Sequence, residues 1–82
     1  MSEHTTSLLN EFGTSLRAMR RARNFSQEEL GQITGLDRTY ISGLERGMRN
    51  PTLKVIALLA ACMGTTASQL LDGITIKNDK DY

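Results

Sequence analysis

The sequence predicts an all-α domain of five helices. Apolar residues recur every three or four positions in successive stretches of the chain, and residues typical of helix starts and helix ends bracket most of these stretches. The 82 residues suffice for one small hydrophobic core, but not for a second domain with an effector pocket. We therefore expect a single domain over residues 1–82, with flexible tails at residues 1–7 and 78–82.

The first helix is predicted from about Leu8 to Ala22. Its apolar residues share one helix face, as expected for a helix that packs on a core. These residues are Leu9, Phe12, Leu16 and Met19.

The second helix is defined by the residues at its ends. Ser26 and Glu29 have the Ser-x-x-Glu spacing in which each side chain bonds a backbone N–H at a helix start, so the helix begins at about Gln27. It ends at Thr34, because Gly35 adopts a positive φ without a Cβ penalty.

A third helix follows at once, from Arg38 to about Arg46. Asp37 is a good N-cap, and its charge suits the positive end of the helix dipole, whereas Gly47 ends the helix. Gly31 in the second helix offers a small surface where the third helix crosses closely. The pair buries one side through Leu30, Ile33, Leu36, Ile41 and Leu44.

Two short helices joined by a tight glycine turn have the organisation of a DNA-reading helix-turn-helix. The stretch resembles the helix-turn-helix of phage repressors and Cro proteins, the Xre-like family. The matching positions are Gln27, Gly31, Gly35 and Ile41. The likeness continues through ERGMRNPT and TTASQLL, so it covers roughly residues 9–71 and implies a lambda-repressor-like fold. The run LDRTYISGLER followed by RN is most similar to the controller proteins of bacterial restriction–modification systems, small dimers that switch transcription of the linked genes.

A fourth helix is predicted from the N-cap candidate Thr52, which follows Pro51, to about Met63, before Gly64. Its core-facing residues are Leu53, Ile56, Leu59, Ala60 and Met63.

A short fifth helix is predicted after Thr66 and Gln69, which repeat the capping-box spacing. It contains Ala67, Leu70 and Leu71. The stretch from Gly73 to Lys77 forms either a small strand or arm, or part of a frayed tail.

The fourth helix carries more apolar surface than one buried face requires, and such a surplus is typical of an interface. We expect a two-fold dimer that places two recognition helices about 34 Å apart, one turn of DNA. The predicted interface residues are Val55, Leu58, Cys62 and Leu70. The alternative is that the extra apolar residues complete a tightly wrapped core.

The net charge of +1 is small for a DNA-binding protein, but the charge is unevenly distributed. Residues 17–49 contain seven arginines and four acidic residues, an excess of three positive charges. Arginine suits forked contacts to phosphate and guanine better than lysine does. The alternative is a solvated charged face. The arginines are Arg17, Arg20, Arg21, Arg23, Arg38, Arg46 and Arg49.

The first turns of the third helix are expected to enter the major groove. Arg38 is the best candidate for direct readout, because its guanidinium can donate two hydrogen bonds to guanine. Thr39 offers a methyl group and a hydroxyl, and Ser42 and Gly43 complete the predicted base-contacting face. The resemblance implies a longer polar residue where Gly43 stands, which suggests that DNA shape contributes there instead.

A second set of residues is predicted to hold the DNA backbone. As the resemblance implies, Gln27 would bind a phosphate through its backbone N–H and its amide side chain. The other members are Tyr40, Arg46, Arg49 and Asn50. Each has a plainer interpretation: a surface residue for Gln27, a packing residue for Tyr40, a solvated or ion-paired helix end for Arg46 with Glu45, and turn geometry for Asn50 before Pro51.

Catalysis and metal binding find no support in the sequence. His4 is the only histidine and Cys62 the only cysteine, and the carboxylates lack metal-ligand spacing. No nucleophile has a base beside it, and no phosphate-cradling glycine loop is present. Cys62 is predicted to be a buried small hydrophobe. We therefore expect no enzymatic activity, no metal and no cofactor.

The expected location is the cytoplasm. No apolar run approaches the roughly 20 residues of a membrane span. The polar start MSEHTTS lacks the basic beginning and apolar stretch of a secretory signal.

These features together predict a homodimeric, sequence-specific transcriptional regulator that binds a pseudo-palindromic DNA operator. The resemblance implies RNA polymerase at the promoter as a further partner, and the sign of regulation stays open. The alternative is an antitoxin-like module that grips a protein partner through the fourth helix and the C-terminal arm. The oligomeric state discriminates between them, because a stable homodimer occupies the apolar surface.

Overall fold

The computed structural model describes residues 3–76, with side chains from Ser7 onward. The described residues form five helices and no β-strand, which confirms the predicted fold class. None of these helices has the length and apolar character needed to cross a membrane. The helices are α1 (Glu3–Ala22), α2 (Gln27–Thr34), α3 (Arg38–Glu45), α4 (Leu53–Cys62) and α5 (Ala67–Leu70).

The first helix is longer than predicted. It begins at Glu3 instead of Leu8, so the tail predicted over residues 1–7 is wrong from residue 3 onward. No proline or glycine interrupts this stretch, and the Ser7 hydroxyl donates to the Glu11 carboxylate one turn later, at 3.4 Å. The helix therefore continues outward. The tail predicted at residues 78–82 lies outside the described residues.

All five helices contribute to one core. Helix α1 packs against α3 and α5, α2 packs against α3 and α4, and α4 packs against α5. The Ser15 hydroxyl also donates to the Leu70 carbonyl, which ties α1 to α5. The buried residues are Phe12, Leu16, Leu30, Ile41, Leu44, Leu59, Ala60, Met63 and Leu70.

Two residues predicted to face the core are instead exposed. Leu53 is 74% exposed, because it is the first residue of α4, where that helix has not yet reached the core. Ile33 is 46% exposed at the edge of the contact between α2 and α4. Its carbonyl accepts a hydrogen bond from the Cys62 thiol at 3.6 Å. Cys62 is only half-buried, so the prediction of full burial was also wrong.

The chain after α5 folds back on the core. Gly73 has a φ of +76°, and the Ile74 N–H donates to the Leu71 carbonyl at 3.0 Å. Ile74 is half-buried and packs against the core. The alternative of a strand from Gly73 is therefore wrong over residues 73–76, and Lys77 lies outside the described residues.

Helix α1 crosses the carboxyl end of α3 at Gly13. A Cβ at this position would lie only 2.6 Å from the Leu44 carbonyl oxygen and closer still to that of Glu45. Both contacts are with backbone, so neither can be relieved by rotating a side chain. The absence of a side chain at Gly13 sets how closely the two helices approach.

We predict that Gly13→Ala destabilises the protein by about 1–3 kcal/mol, because the methyl group forces α1 away from α3. Helix propensity alone would give the opposite sign, a stabilisation of about 1 kcal/mol. Urea unfolding at fixed protein concentration measures the difference. Ala18→Gly at an exposed position of α1 is the control for propensity. A stabilised Gly13→Ala variant would contradict the close crossing.

Candidate nucleic-acid interface

The start of α2 is fixed by the predicted capping box. The Ser26 hydroxyl accepts from the Glu29 N–H at 3.0 Å, and the Glu29 carboxylate accepts from the Ser26 N–H at 2.8 Å. These bonds, that from the Ser26 N–H first, lower the pKa of the Glu29 carboxyl. At the other end Gly35 has a φ of +78°, and its N–H donates to the Gly31 carbonyl at 2.8 Å. Both predicted ends of α2 are confirmed.

The turn into α3 is equally well defined. The Asp37 carboxylate accepts from the Thr39 N–H at 2.7 Å, which confirms the predicted N-cap. A Cβ at Gly31 would lie 2.8 Å from the Leu36 carbonyl oxygen and 3.7 Å from the Ile41 side chain. The close approach predicted at Gly31 is therefore made mainly by the turn before α3.

The outer face of α3 carries three exposed polar side chains, Arg38, Thr39 and Arg46. Ser42 on the same side is half-buried. Within the described part of the chain, neither Arg38 nor Arg46 forms a side-chain hydrogen bond or an ion pair. A guanidinium without an internal partner keeps its N–H donors for a ligand.

Gly43 is not exposed on this face, contrary to the prediction that it contacts bases. It is buried under the side chain of Arg49, whose Cγ lies 2.9 Å from the position that a Cβ on Gly43 would occupy. The sequence could not reveal this contact, because Arg49 follows the end of α3 and returns over it. Arg49 itself is exposed, as is Asn50 beside it.

Tyr40 is a packing residue as well as a surface residue. It is half-buried against the core, and the Arg49 guanidinium carbon lies 5.8 Å from the centre of its ring. This distance is within the range of a cation–π contact. The packing interpretation of Tyr40 is therefore supported, and Arg49 lies beside it.

A fully buried carboxylate, that of Glu45, joins three parts of the motif. Its side chain has no solvent exposure. Arg20 of α1 donates to both of its oxygens, from Nε at 2.6 Å and from Nη2 at 3.0 Å. Gln27 of α2 donates to it at 3.0 Å, and Arg17 of α1 at 3.3 Å. We call Glu45, Arg20, Arg17 and Gln27 the Glu45 cluster.

The charge state of the cluster is set by these contacts. Burial alone would raise the pKa of Glu45, but hydrogen bonds from Arg20 and Gln27, together with the charge of Arg20, lower it below its ordinary value. The hydrogen bond to Glu45 raises the pKa of Arg20. Arg20 also donates from Nη1 to the Phe25 carbonyl at 2.8 Å. The pair is ionised, and its donors and acceptors are occupied.

Gln27 therefore differs from its predicted role. Its amide nitrogen is engaged by Glu45 inside the protein, so the prediction of an amide side chain directed at phosphate is wrong for this conformation. Its backbone N–H stands in the first turn of α2, where helix N–H groups have no partner within the helix. That N–H stays a candidate for a phosphate contact.

The seven arginines divide into two groups. Arg17 and Arg20 belong to the Glu45 cluster, and Arg23 donates to the Met63 carbonyl at 2.8 Å. These three hold helices together. The exposed remainder consists of Arg21, Arg38, Arg46 and Arg49.

The analysis of the sequence missed the Glu45 cluster, although the sequence contains a signal for it. Arg20 follows Leu16 by four residues, and Glu45 follows Ile41 by four. Each charge thus continues the apolar stripe of its helix. Opposite charges in two stripes that face one another indicate a buried ion pair.

The predicted interface on α4 is partly wrong. Leu70 has 0% exposure and belongs to the core of its own chain, so it offers no surface to a second copy. Val55 and Cys62 are half-buried, and Val55 packs against the core. Leu58 is 36% exposed. The apolar surface of α4 is therefore centred on Leu58.

The fold and this surface define a helix-turn-helix DNA-binding domain. The helix-turn-helix family HTH_3 matches residues 16–70, and the chain belongs to this family. The resemblance to restriction–modification controller proteins is also confirmed. The control protein C.SmaI of Serratia marcescens is 41% identical over 66 residues, which cover 80% of this chain and 79% of that protein. The control protein C.BamHI of Bacillus amyloliquefaciens is 43% identical over 68 residues, covering 82% and 84%.

Two solved structures are similar as well. The restriction-modification controller protein C.AhdI from Aeromonas hydrophila has a TM-score of 0.74 and 44% identity, with 76% of this chain and 94% of that chain covered. The controller protein C.Esp1396I, solved as a tetramer with its natural 35-base-pair operator, has a TM-score of 0.74 and 30% identity, covering 90% and 92%.

We predict that Glu45→Gln costs about 3–5 kcal/mol of stability at neutral pH, because it leaves Arg20 buried without a counter-charge. The wild type should also lose stability in acid. The pKa of Glu45 in the folded protein lies below 4.5, so its contribution is present above about pH 4.5 and is lost as pH falls through that lowered pKa.

Urea unfolding of wild type and Glu45→Gln between pH 3 and 7 measures both effects. The variant should lack this part of the acid loss. Glu28→Gln, at an exposed position of α2, is the control. Parallel pH profiles for wild type and Glu45→Gln would contradict the assignment.

Proposed function

We propose that this protein is a sequence-specific regulator of transcription and acts as the control protein of a restriction–modification system. The observation that carries the proposal is the outer face of α3. Arg38, Thr39 and Arg46 are exposed there, on a helix whose inner face is held by the core. The similarity to C.SmaI, C.BamHI and C.AhdI supports the assignment to this kind of gene system.

Two copies of the chain bind a pseudo-palindromic operator in this proposal. The apolar surface around Leu58 is the contact between them, and the tetramer of C.Esp1396I on its operator supports assembly of this kind. A two-fold axis between the copies would set the two α3 helices about 34 Å apart, so that both enter the major groove on one side of the DNA.

Control follows from occupancy of DNA near RNA polymerase, in the cytoplasm. The position of the operator relative to the polymerase decides between activation and repression. The proposed mechanism has no chemical step and needs no cofactor. No group of three or more potential metal ligands occurs among the described residues.

A second candidate function uses the same surface differently. Leu53 and Leu58 expose apolar area on α4, which also suits a protein partner of another sequence, as in an antitoxin. A protein that is monomeric in solution would favour this alternative.

We predict that Arg38→Ala costs about 1–3 kcal/mol at one guanine position in each half-site, because a forked contact is lost. Selection from a random DNA pool, followed by affinity measurements at two salt concentrations, tests this. Arg38→Lys is the matched control: it keeps the charge but not the fork, so it should lose the guanine preference and keep the salt dependence. If Arg38→Lys retains the preference, Arg38 is a phosphate contact.

We predict that Leu58→Glu converts the dimer to a monomer, because it places a charge in the apolar contact between two copies. Sedimentation equilibrium measures the change. Leu53→Glu is the control, since Leu53 is the more exposed leucine on the same helix and lies outside the proposed contact. A dimer that is unaffected by Leu58→Glu would place the interface elsewhere.

A further inference from the structure

The middle of the DNA-facing side of α3 carries no side chain of its own. At 100° per residue, Gly43 lies one turn after Thr39 and about one turn before Arg46, both of which are exposed. It is therefore opposite the buried side chains of Ile41 and Leu44. A glycine at the centre of an outer face should be exposed, yet Gly43 is buried.

The side chain of Arg49 accounts for this burial. A Cβ on Gly43 would meet three successive atoms of Arg49: Cγ at 2.9 Å, Nε at 3.7 Å and Cδ at 3.9 Å. The stem of Arg49 thus lies along α3 in the space that a side chain at position 43 would fill. Any larger residue there would displace Arg49.

Two further contacts hold Arg49 in this place. The Met48 N–H donates to the Gly43 carbonyl at 2.8 Å, which anchors the loop directly before Arg49. The guanidinium lies over the ring of Tyr40, with 5.8 Å between its carbon and the ring centre. A guanidinium stacked on a ring leaves its N–H edges available for a forked contact.

No carboxylate among the described residues pairs with Arg49, and its side chain is exposed. It differs in this respect from Arg20, whose donors are all directed into the protein. The structure thus supplies a held but unpaired guanidinium on the face of α3 where the helix itself has only Gly43.

We propose that Arg49 is a second base-reading residue, which contacts guanine in the major groove at a base pair different from the one read by Arg38. Gly43 and Tyr40 are its positioning residues. This inference rests on the proposed function and extends it. It replaces a phosphate clamp at Arg49, and DNA shape at position 43, with direct readout from the loop between α3 and α4.

Selection from a random DNA pool with wild type, Arg49→Ala, Arg49→Lys and Arg38→Ala tests the assignment. We expect Arg49→Ala to abolish a guanine preference on the order of tenfold or more at a position that Arg38→Ala leaves intact. Arg49→Lys should also lose this preference while retaining most of the salt-dependent affinity, because lysine preserves the charge without the fork.

The positioning role of Gly43 is tested by a double-mutant cycle. Gly43→Ala keeps Arg49 in the sequence but removes its place on α3, so it should lose the preference at the same base pair as Arg49→Ala. In the Arg49→Ala background the same change should have no further effect on that preference. Thermal unfolding is expected to show that Gly43→Ala remains folded, since alanine favours a helix. Tyr40→Phe, which preserves the ring, should retain the preference, whereas Tyr40→Leu should weaken it.

Three results would overturn the proposal. The first is a loss of affinity in Arg49→Ala that is uniform across DNA sequences and is restored by lysine, which identifies a phosphate contact. The second is additivity of Gly43→Ala and Arg49→Ala. In both cases a wild type that still selects an Arg38-dependent operator leaves the proposed function standing. The third is a wild type that enriches no sequence, which removes the proposed function and this inference together.

Discussion

The carboxylate of Glu45 lies where α1, α2 and α3 meet, and the geometry of the DNA-facing surface depends on it. A buried ion pair adds little net stability compared with apolar packing, but separating its members leaves a charge in a medium that solvates it poorly. Movement of α3 away from α1 or α2 would break hydrogen bonds from Arg20 or Gln27 to this one group. The cluster therefore restricts the relative positions of the helices more than it adds to the overall stability.

The parts of the fold that follow from local chemistry could be predicted from the sequence. The capping box at Ser26, the left-handed glycine at Gly35 and the N-cap at Asp37 each involve residues close in the chain, and each is found in the structure. The exposure of Arg38 and Arg46 also follows from the 3.6-residue period, because Ile41 and Leu44 define the inner face.

What could not be predicted depends on contacts between distant residues. Arg20 and Glu45 are 25 positions apart, so the helix spacing revealed two charges in apolar stripes without showing that they face each other. Gly43 was expected to be exposed because its helix position is outward, and only the return path of Arg49 buries it. Leu70 was assigned to a surface because α5 was expected near the interface, whereas in the structure it is buried in the core.

The division of the arginines has a consequence for how the protein would search a genome. Arg17, Arg20 and Arg23 hold helices together, and the whole chain has a net charge of only +1. Attraction to DNA of arbitrary sequence comes almost entirely from neutralising phosphates, so few cationic groups mean short residence on such DNA. Most molecules would then remain unbound until they meet a site that also offers base contacts. Small changes in the number of copies per cell would translate directly into occupancy of the operator.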